Sequence, residues 1–325
     1  METVDVSVVV LTYNADLNEL KRTLRSVMLQ EGVSFEIVIA DDGSRNNLAD
    51  EITAYLDNFG FKDYQLVLNP ENHGTIINVI SGVEKSTGRY IKLISPGDYL
   101  YDTDSLKRFS DCADKNDSPL VFGDMLVFDS SKEEFSVLKN AACPYDTDCY
   151  KAESYDPDTI KRNYLIVDDH FHGVSTLVRR NEFLKYLKKL EGKAIYCEDL
   201  TYRLMAYDDV KMIYCPYAMA MYGYGQGIST AGNSKWAERM LNDVRASNDI
   251  ILASADKDDS FNKLMKQAFA ERYTGDSEKT KRFFMKHPAL LLYKVKMEKS
   301  SRSTVLEYNA SFVDKILDVE GALHG

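Results

Sequence analysis

The sequence lacks any long apolar run: nowhere do roughly 18–20 apolar residues follow one another, the length a helix needs to cross a bilayer. Basic charge is not in excess either. Lys and Arg number 40 against 51 Asp and Glu, a net charge of −11, which excludes a general nucleic-acid binder because phosphates would go unneutralised. Cysteine is scarce: Cys112, Cys143, Cys149, Cys197 and Cys215 are odd in number and form no C-x-x-C pair. That disfavours a zinc site or a disulfide framework and predicts free thiols in a reducing compartment. With 7 prolines and 17 glycines in 325 residues there is no long flexible linker, and no internal repeat or low-complexity tract is present. No G-x-G-x-x-G follows the first apolar stretch, which excludes a dinucleotide-binding dehydrogenase. A nucleotidyltransferase would need a basic, glycine-rich phosphate loop there, and Thr12-Tyr13-Asn14-Ala15-Asp16 offers none. The acidic opening Met1–Asp5 runs straight into an apolar stretch, which predicts no signal peptide and a cytoplasmic protein.

What is present is a series of apolar strands ending in polar or acidic residues. Val6–Leu11 runs into Thr12-Tyr13-Asn14, Phe35–Ala40 ends in Asp41-Asp42-Gly43-Ser44, and Tyr90–Ile94 ends in Ser95-Pro96-Gly97-Asp98. Residues 5–115 alternate such runs with helical periodicity, the signature of a mainly parallel α/β sheet. Ligands bind such sheets in the crevice outside the carboxyl ends of the strands. Leu17, Leu20, Leu24, Val27 and Met28 predict a first helix capped by Asp16. A second is expected over 47–58, and a third opening at Asn72-His73-Gly74-Thr75 and closed by Gly88 as a C-cap. Between 119 and 150 the period shifts towards two, with short strands at 120–122 and 125–128 and a hairpin partner at 135–138. Further strands are expected at 173–178 and 212–215, and helices over 181–190, from Glu198-Asp199 to about 207, and in pieces from 235 onward with a break at His287-Pro288.

Three acidic groups stand out. A carboxylate of Asp41-Asp42 can accept hydrogen bonds from a uracil-type N–H or from ribose hydroxyls, or serve only the geometry of the turn. Asp98 can hold a divalent cation bridging a diphosphate, since such ions take few protein oxygens. Glu198-Asp199 either complement a helix dipole or deprotonate an acceptor hydroxyl if burial raises their pKa. His170 and His172, within Asp168–His172, share one side of a strand and suggest an acceptor-side role or, less well supported without a cysteine nearby, a metal.

The ordered set Thr12-Tyr13-Asn14, Asp41-Asp42-Gly43-Ser44, Asn72-x-Gly74, Gly88-x-Tyr90-Ile91, Asp98 and Glu198-Asp199 resembles family 2 glycosyltransferases of the GT-A fold. The segment Gly223–Thr230 is similar to a loop of bacterial capsule and cell-wall polysaccharide members. The resemblance implies a Rossmann-like nucleotide-binding mixed sheet flanked by helices over 1–230, with a nucleotide half to about 115, an acceptor half over 116–230, and a helical C-terminal extension over 231–325. It implies an inverting enzyme that moves a sugar from a UDP-sugar to a hydroxyl of a glycan or lipid-linked saccharide. Thr12, Tyr13 and Asn14 would line the nucleotide pocket, Asp42 would bind uracil with Asp41 supporting it, and Asn72, Gly74 and Ser95-Pro96-Gly97 would complete the donor site. Asp98 matches the last acid of the metal-binding motif and Asp199 the catalytic base, with Glu198 beside it.

Ser95-Pro96-Gly97 stand where the family shows Asp-x-Asp, so the Mg²⁺ or Mn²⁺ would rest on Asp98, the diphosphate and water, or another group such as Lys235 would neutralise the leaving group. Tyr224, Gly225, Gln226 and Gly227 read as a glycine-rich lid. Residues 281–299 interleave basic and large apolar side chains, which suits peripheral contact with an anionic inner membrane face, packing on the core, or a second copy of the chain. A nucleotide-sugar- or glycan-binding protein without turnover is the alternative from another class.

Overall fold

Continuous apolar runs become strands buried on both faces. The computed structural model describes residues 4–132, 134–225 and 234–323. Strands β1 (Val6–Thr12), β2 (Phe35–Asp41), β3 (Tyr64–Leu68) and β4 (Tyr90–Ile94) pair in parallel in the order β3-β2-β1-β4. Helices α1 (Leu17–Met28), α2 (Ala49–Asn58) and α3 (Thr75–Lys85) connect them. Val8 and Val10 pack with Leu20 and Leu24 of α1, whereas Val9 packs with Ile76 and Val79 of α3. Asp16 caps α1 by accepting from the amides of Asn18 and Glu19.

The second half turns the sheet mixed. It comprises β5 (Tyr99–Leu100), α4 (Ser105–Asn116), β6 (Leu120–Asp129), β7 (Val137–Leu138), α5 (Pro157–Arg162), β8 (Thr176–Arg179), α6 (Arg180–Leu190), α7 (Leu200–Tyr207) and β9 (Met212–Tyr224). The order continues from β4 through β8, β6 and β9 to β5, with β7 paired to β6. Antiparallel β8 is wedged between β4 and β6, so the carboxyl end of β4 faces the segment before β8 rather than another parallel strand.

After β9 come α8 (Ser234–Ser254), α9 (Ser260–Glu271), α10 (Ser277–Lys286), α11 (Pro288–Lys299) and α12 (Ala310–Leu317). The break expected at His287-Pro288 separates α10 from α11. These helices pack back onto the sheet-bearing part. Arg203 of α7 bonds Asn248 of α8 at 2.8 Å. At the far end, the buried Arg25 of α1 donates to the carbonyls of Lys315, Gly321 and Ala322. Among the described residues no helix is long and apolar enough to cross a membrane.

Five local expectations need correction. The strand expected at 173–178 begins only at Thr176, after a 3-10 turn over Gly173–Ser175, and His170 and His172 precede it in irregular chain rather than on a strand. The two strands expected at 120–128 are one, because Gly123 continues the chain where a Cβ would lie 2.3 Å from both Phe109 and the Tyr217 carbonyl. The strand expected at 212–215 runs on to Tyr224 past Pro216, with the register against β6 shifting around Asp124. Gly88 is no C-cap: Ser86 closes α3, and Gly88 is needed because a Cβ there would sit 2.5 Å from the Ser7 amide. Finally, Cys112 of α4 and Cys215 of β9 form a disulfide, leaving Cys143, Cys149 and Cys197 free. Packing of α4 on β9 brings together two cysteines 103 residues apart, a separation that carries no pairing signal.

Candidate active site

The chain leaves β4 in a tight turn in which the Asp98 amide donates to the Ser95 carbonyl at 3.0 Å. Pro96 sits within this turn, and Gly97 takes φ +93°, a left-handed value that glycine accommodates without strain. Thr23 of α1 locks it, accepting from the Gly97 amide at 3.1 Å and donating to the Asp98 carbonyl at 2.9 Å. The Asp98 carboxylate accepts the Gly223 amide at 2.9 Å, so the turn also holds the end of β9. Burial pushes Asp98 up to about 7, opposed by that amide and by the charge of Lys92. Lys92 is sealed inside β4 and donates to the carbonyls of Leu93 and Val174 at 2.7 and 2.5 Å. Burial draws it down to about 7.

Glu198 and Asp199 stand at the start of α7. Asp199 occupies the N-cap position, yet its side chain makes no capping bond, so helix capping does not account for it. Burial raises both acids, Glu198 to about 8 with the Asp199 charge adding to the rise. His170 works the other way on Asp199. The two titrate as a pair. Burial and their mutual repulsion disfavour two negative charges side by side, so the pair holds a proton more tightly than separate carboxylates would.

The two acidic positions face one cavity of about 250 Å³, which Ser95, Asp98, His172, Glu198, Asp199 and Tyr222 all line. Gly173 lies against the pair: a Cβ there would be 3.6 Å from Glu198 Oε1. The His172 ring lies near-parallel to that of Tyr222 with centroids 6.5 Å apart, while the protein mass around it pushes its pKa down to about 4, with His170 adding to the shift. It is therefore a neutral imidazole near pH 7. His170 sits one step back, with Nδ1 3.7 Å from Asp168. A larger recess of about 480 Å³ between α5 and α9, by Asp158, Lys161 and Asn262, gathers none of the expected site residues.

The donor-side residues form a second cluster beside Leu11, which itself lines the cavity. Asp41 accepts from the Thr12 hydroxyl at 2.9 Å and from the amide and hydroxyl of Ser44 at 2.8 and 2.6 Å. Ser44 Oγ in turn accepts the Asn14 amide at 2.7 Å. Asp42 accepts the amides of His73 and Gly74 at 3.0 and 2.9 Å. Both acids thus organise loops, with Asp41 the more fully occupied. Tyr13 is 54% exposed beside them. Asn72 is exposed on the turn that closes against Gly43. Tyr224 ends β9, its carbonyl accepting from Ser130, and Gly225 follows at φ +120°. Gln226, Gly227 and the Lys235 side chain lie outside the described residues.

Among the described residues no three His, Cys, Asp or Glu side chains converge as metal ligands. The single carboxylate of Asp98 fits a Mg²⁺ or Mn²⁺ that arrives with a diphosphate and keeps waters; it does not fit a resident ion. Sequence reasoning missed Lys92, Thr23 and Tyr222. A lone lysine inside the apolar run Tyr90–Ile94 is the signal that would have found the first.

A mixed sheet with carboxylates gathered at the carboxyl edge of its parallel half, closed by a helical C-terminal part, defines a GT-A fold. The profile of the family described as Glycosyl transferase family 2 matches residues 7–187, over half the chain, and the chain belongs to that family. Undecaprenyl-phosphate 4-deoxy-4-formamido-L-arabinose transferase of Pseudomonas aeruginosa (strain LESB58) is 39% identical over 85 residues, 26% of this chain and 25% of that protein. The chain therefore spans about a quarter of that relative. Uncharacterized glycosyltransferase MJ1057 of Methanocaldococcus jannaschii is 26% identical over 196 residues, 60% of this chain and 61% of that protein. The crystal structure of S. aureus TarS 1-349 in complex with UDP-GlcNAc superposes with a TM-score of 0.55 at 14% identity, covering 98% of this chain and 90% of that one. That likeness shows the fold.

Proposed function

We propose that the chain is an inverting glycosyltransferase that moves a sugar from a UDP-sugar to a hydroxyl of a glycan or lipid-linked saccharide in polysaccharide synthesis. The observation that carries this is the convergence of Asp98 with Glu198-Asp199 on one cavity. The donor class is supported by the UDP-GlcNAc held by TarS, and a lipid-linked acceptor by the undecaprenyl-phosphate named for the Pseudomonas relative.

Tyr13 stacks on the base and Asp42 accepts from the uracil N–H, while Asp41, Thr12, Asn14, Asn72 and Gly74 hold the loops that shape this end of the site. Asp199 takes the proton of the acceptor hydroxyl as its oxygen attacks the anomeric carbon. The bond from that carbon to the phosphate oxygen breaks, and UDP leaves with the electron pair from the opposite face, which inverts the configuration. A Mg²⁺ or Mn²⁺ held by Asp98 and the diphosphate would supply charge neutralisation on the leaving group. Glu198 stands beside this base and repels a second negative charge on the pair, and His172 with Tyr222 walls the acceptor side of the cavity. Residues 281–299 rest on the inner face of the membrane, with a second copy of the chain as the other occupant of that surface.

Calorimetry with UDP and UDP-sugars, with and without Mn²⁺, followed by UDP release in the presence of acceptor glycans, tests this. Metal-stimulated UDP binding and acceptor-dependent release are expected. Binding without release would make the chain a non-catalytic nucleotide-sugar binder.

A further inference from the structure

The loop that delivers Glu198-Asp199 to the cavity is held by a residue that belongs to none of the motifs above. Asp243 of α8 is buried, 4% exposed, and its carboxylate accepts three consecutive amides: Ile195 at 3.0 Å, Tyr196 at 2.6 Å and Cys197 at 3.1 Å. Charge-assisted bonds of this kind are about twice as strong as neutral ones. The same helix grips the loop through a side chain, since Trp236 meets the Tyr196 ring edge-on at 5.0 Å and Arg239 lies 5.5 Å from the centre of that ring.

A second grip comes from the donor side. The Ile195 carbonyl accepts the Ile76 amide at 3.0 Å, at the start of α3. Gly74, whose amide is bound by Asp42, lies so close that a Cβ there would come within 2.3 Å of the Ile195 side chain. The chain of contacts therefore runs from Asp42 through Gly74 and Ile195 to Asp243, one residue short of Glu198.

We propose that Asp243 is a positioning residue for the Glu198-Asp199 base: by holding the amides of 195–197 it fixes the acid pair against the cavity and ties the pair to the donor-side loop. This rests on the proposed transferase activity. A helix outside the 7–187 family match thereby carries part of the catalytic geometry. Without its carboxylate, three amides compete for water and the two residues after them lose a fixed origin, and a displacement of about 1 Å at a reacting group costs on the order of 100-fold in rate.

Asp243→Asn keeps one acceptor oxygen and nearly the same shape, whereas Asp243→Ala removes both. Three measurements on each folded variant decide the matter: hydrogen exchange of the 195–197 segment, UDP affinity by calorimetry, and kcat and donor KM for sugar transfer. Asp243→Asn is expected to speed exchange at 195–197, to leave UDP affinity and donor KM within about threefold, and to lower kcat by about 10–100-fold, with Asp243→Ala lower still. A kcat within twofold of wild type for Asp243→Asn, or a loss that appears in UDP affinity rather than kcat, overturns the positioning role. Wild-type protein that transfers no sugar from any nucleotide donor overturns the proposed function instead, a different result from wild-type turnover with an indifferent Asp243.

Discussion

Lys92 and Asp98 lie on either side of the turn that ends β4, and each opposes the other's drift towards neutrality. Burial draws the lysine down and the aspartic acid up, both to about 7, while the opposite charge of the partner pulls each back. Lys92 cannot reach a ligand, being fully buried. It acts through Asp98, in a turn where Ser95 and Gly97 supply no carboxylate.

A lysine whose folded pKa lies below its unfolded value of about 10.4 binds fewer protons when folded, so stability rises with pH between about 7 and 10. Lys92→Met removes this slope. Urea unfolding of both proteins at pH 7 and 9 should show wild type gaining about 2 kcal/mol relative to the variant over that interval, whatever constant offset the lost carbonyl bonds impose. Parallel pH dependence would mean that Lys92 is charged in the fold at both values.

Glu198 and Asp199 are told apart by substitution. Burial and the Asp199 charge push Glu198 up to about 8, so the neutral Glu198→Gln is expected to retain turnover within about tenfold at pH 7. Asp199→Asn removes the proposed base and should lower kcat by about 10³-fold with UDP affinity unchanged. In wild type, burial raises the Asp199 pKa, so kcat rises with pH along an acid limb displaced upward from the ordinary aspartate range. Equal losses in the two variants would not single out Asp199 as the base.

For Asp98, the readout is metal. Asp98→Ala should weaken UDP binding by about tenfold or more in Mn²⁺, and much less under chelator, because the carboxylate contributes through the cation. The end of β9 also loses the acceptor of the Gly223 amide, a loss common to both conditions. The same fold-change with and without metal would give Asp98 a purely structural role.

The sheet and the position of Asp98 were legible in the sequence for one reason. Strands buried on both faces read as unbroken apolar runs, and the residues just after each run lie at the carboxyl edge. Asp98 could be placed that way; Glu198-Asp199 follow no strand and were legible only as acids opening a helix and through the resemblance. Asp41 could not: its carboxylate is taken by Thr12 and Ser44, and a turn aspartate that ties loops together looks the same in sequence as one that binds ribose. Asp243 was invisible because its partners are backbone amides 46–48 residues away, which leave no mark on side-chain identity. Gly74 was read as part of the donor site, and its contact with Ile195 depends on a fold-level approach of two loops.

The surface over 281–299 makes the last prediction. Leu290, Tyr293 and Met297 turn α11 towards the body of the protein, where Tyr293 bonds Asp146 and Asn163. The opposite side of the helix exposes Leu291, Leu292 at 71% and Val295, next to Lys296 and Lys299, with Met285 of α10 exposed at 76%. Between 278 and 299 seven Lys and Arg face two Glu, in a chain whose net charge is −11. Basic side chains near an anionic bilayer contribute about 1 kcal/mol each, and exposed leucines add burial in the headgroup region. The protein should therefore sediment with phosphatidylglycerol-containing vesicles and not with phosphatidylcholine alone, less so at high salt. Lys296→Glu with Lys299→Glu should cut binding by tenfold or more, and Leu292→Ser should reduce it without changing the salt dependence. A dimer that loses stability with Leu292→Ser, together with indifference to vesicles, would assign this face to a second copy of the chain.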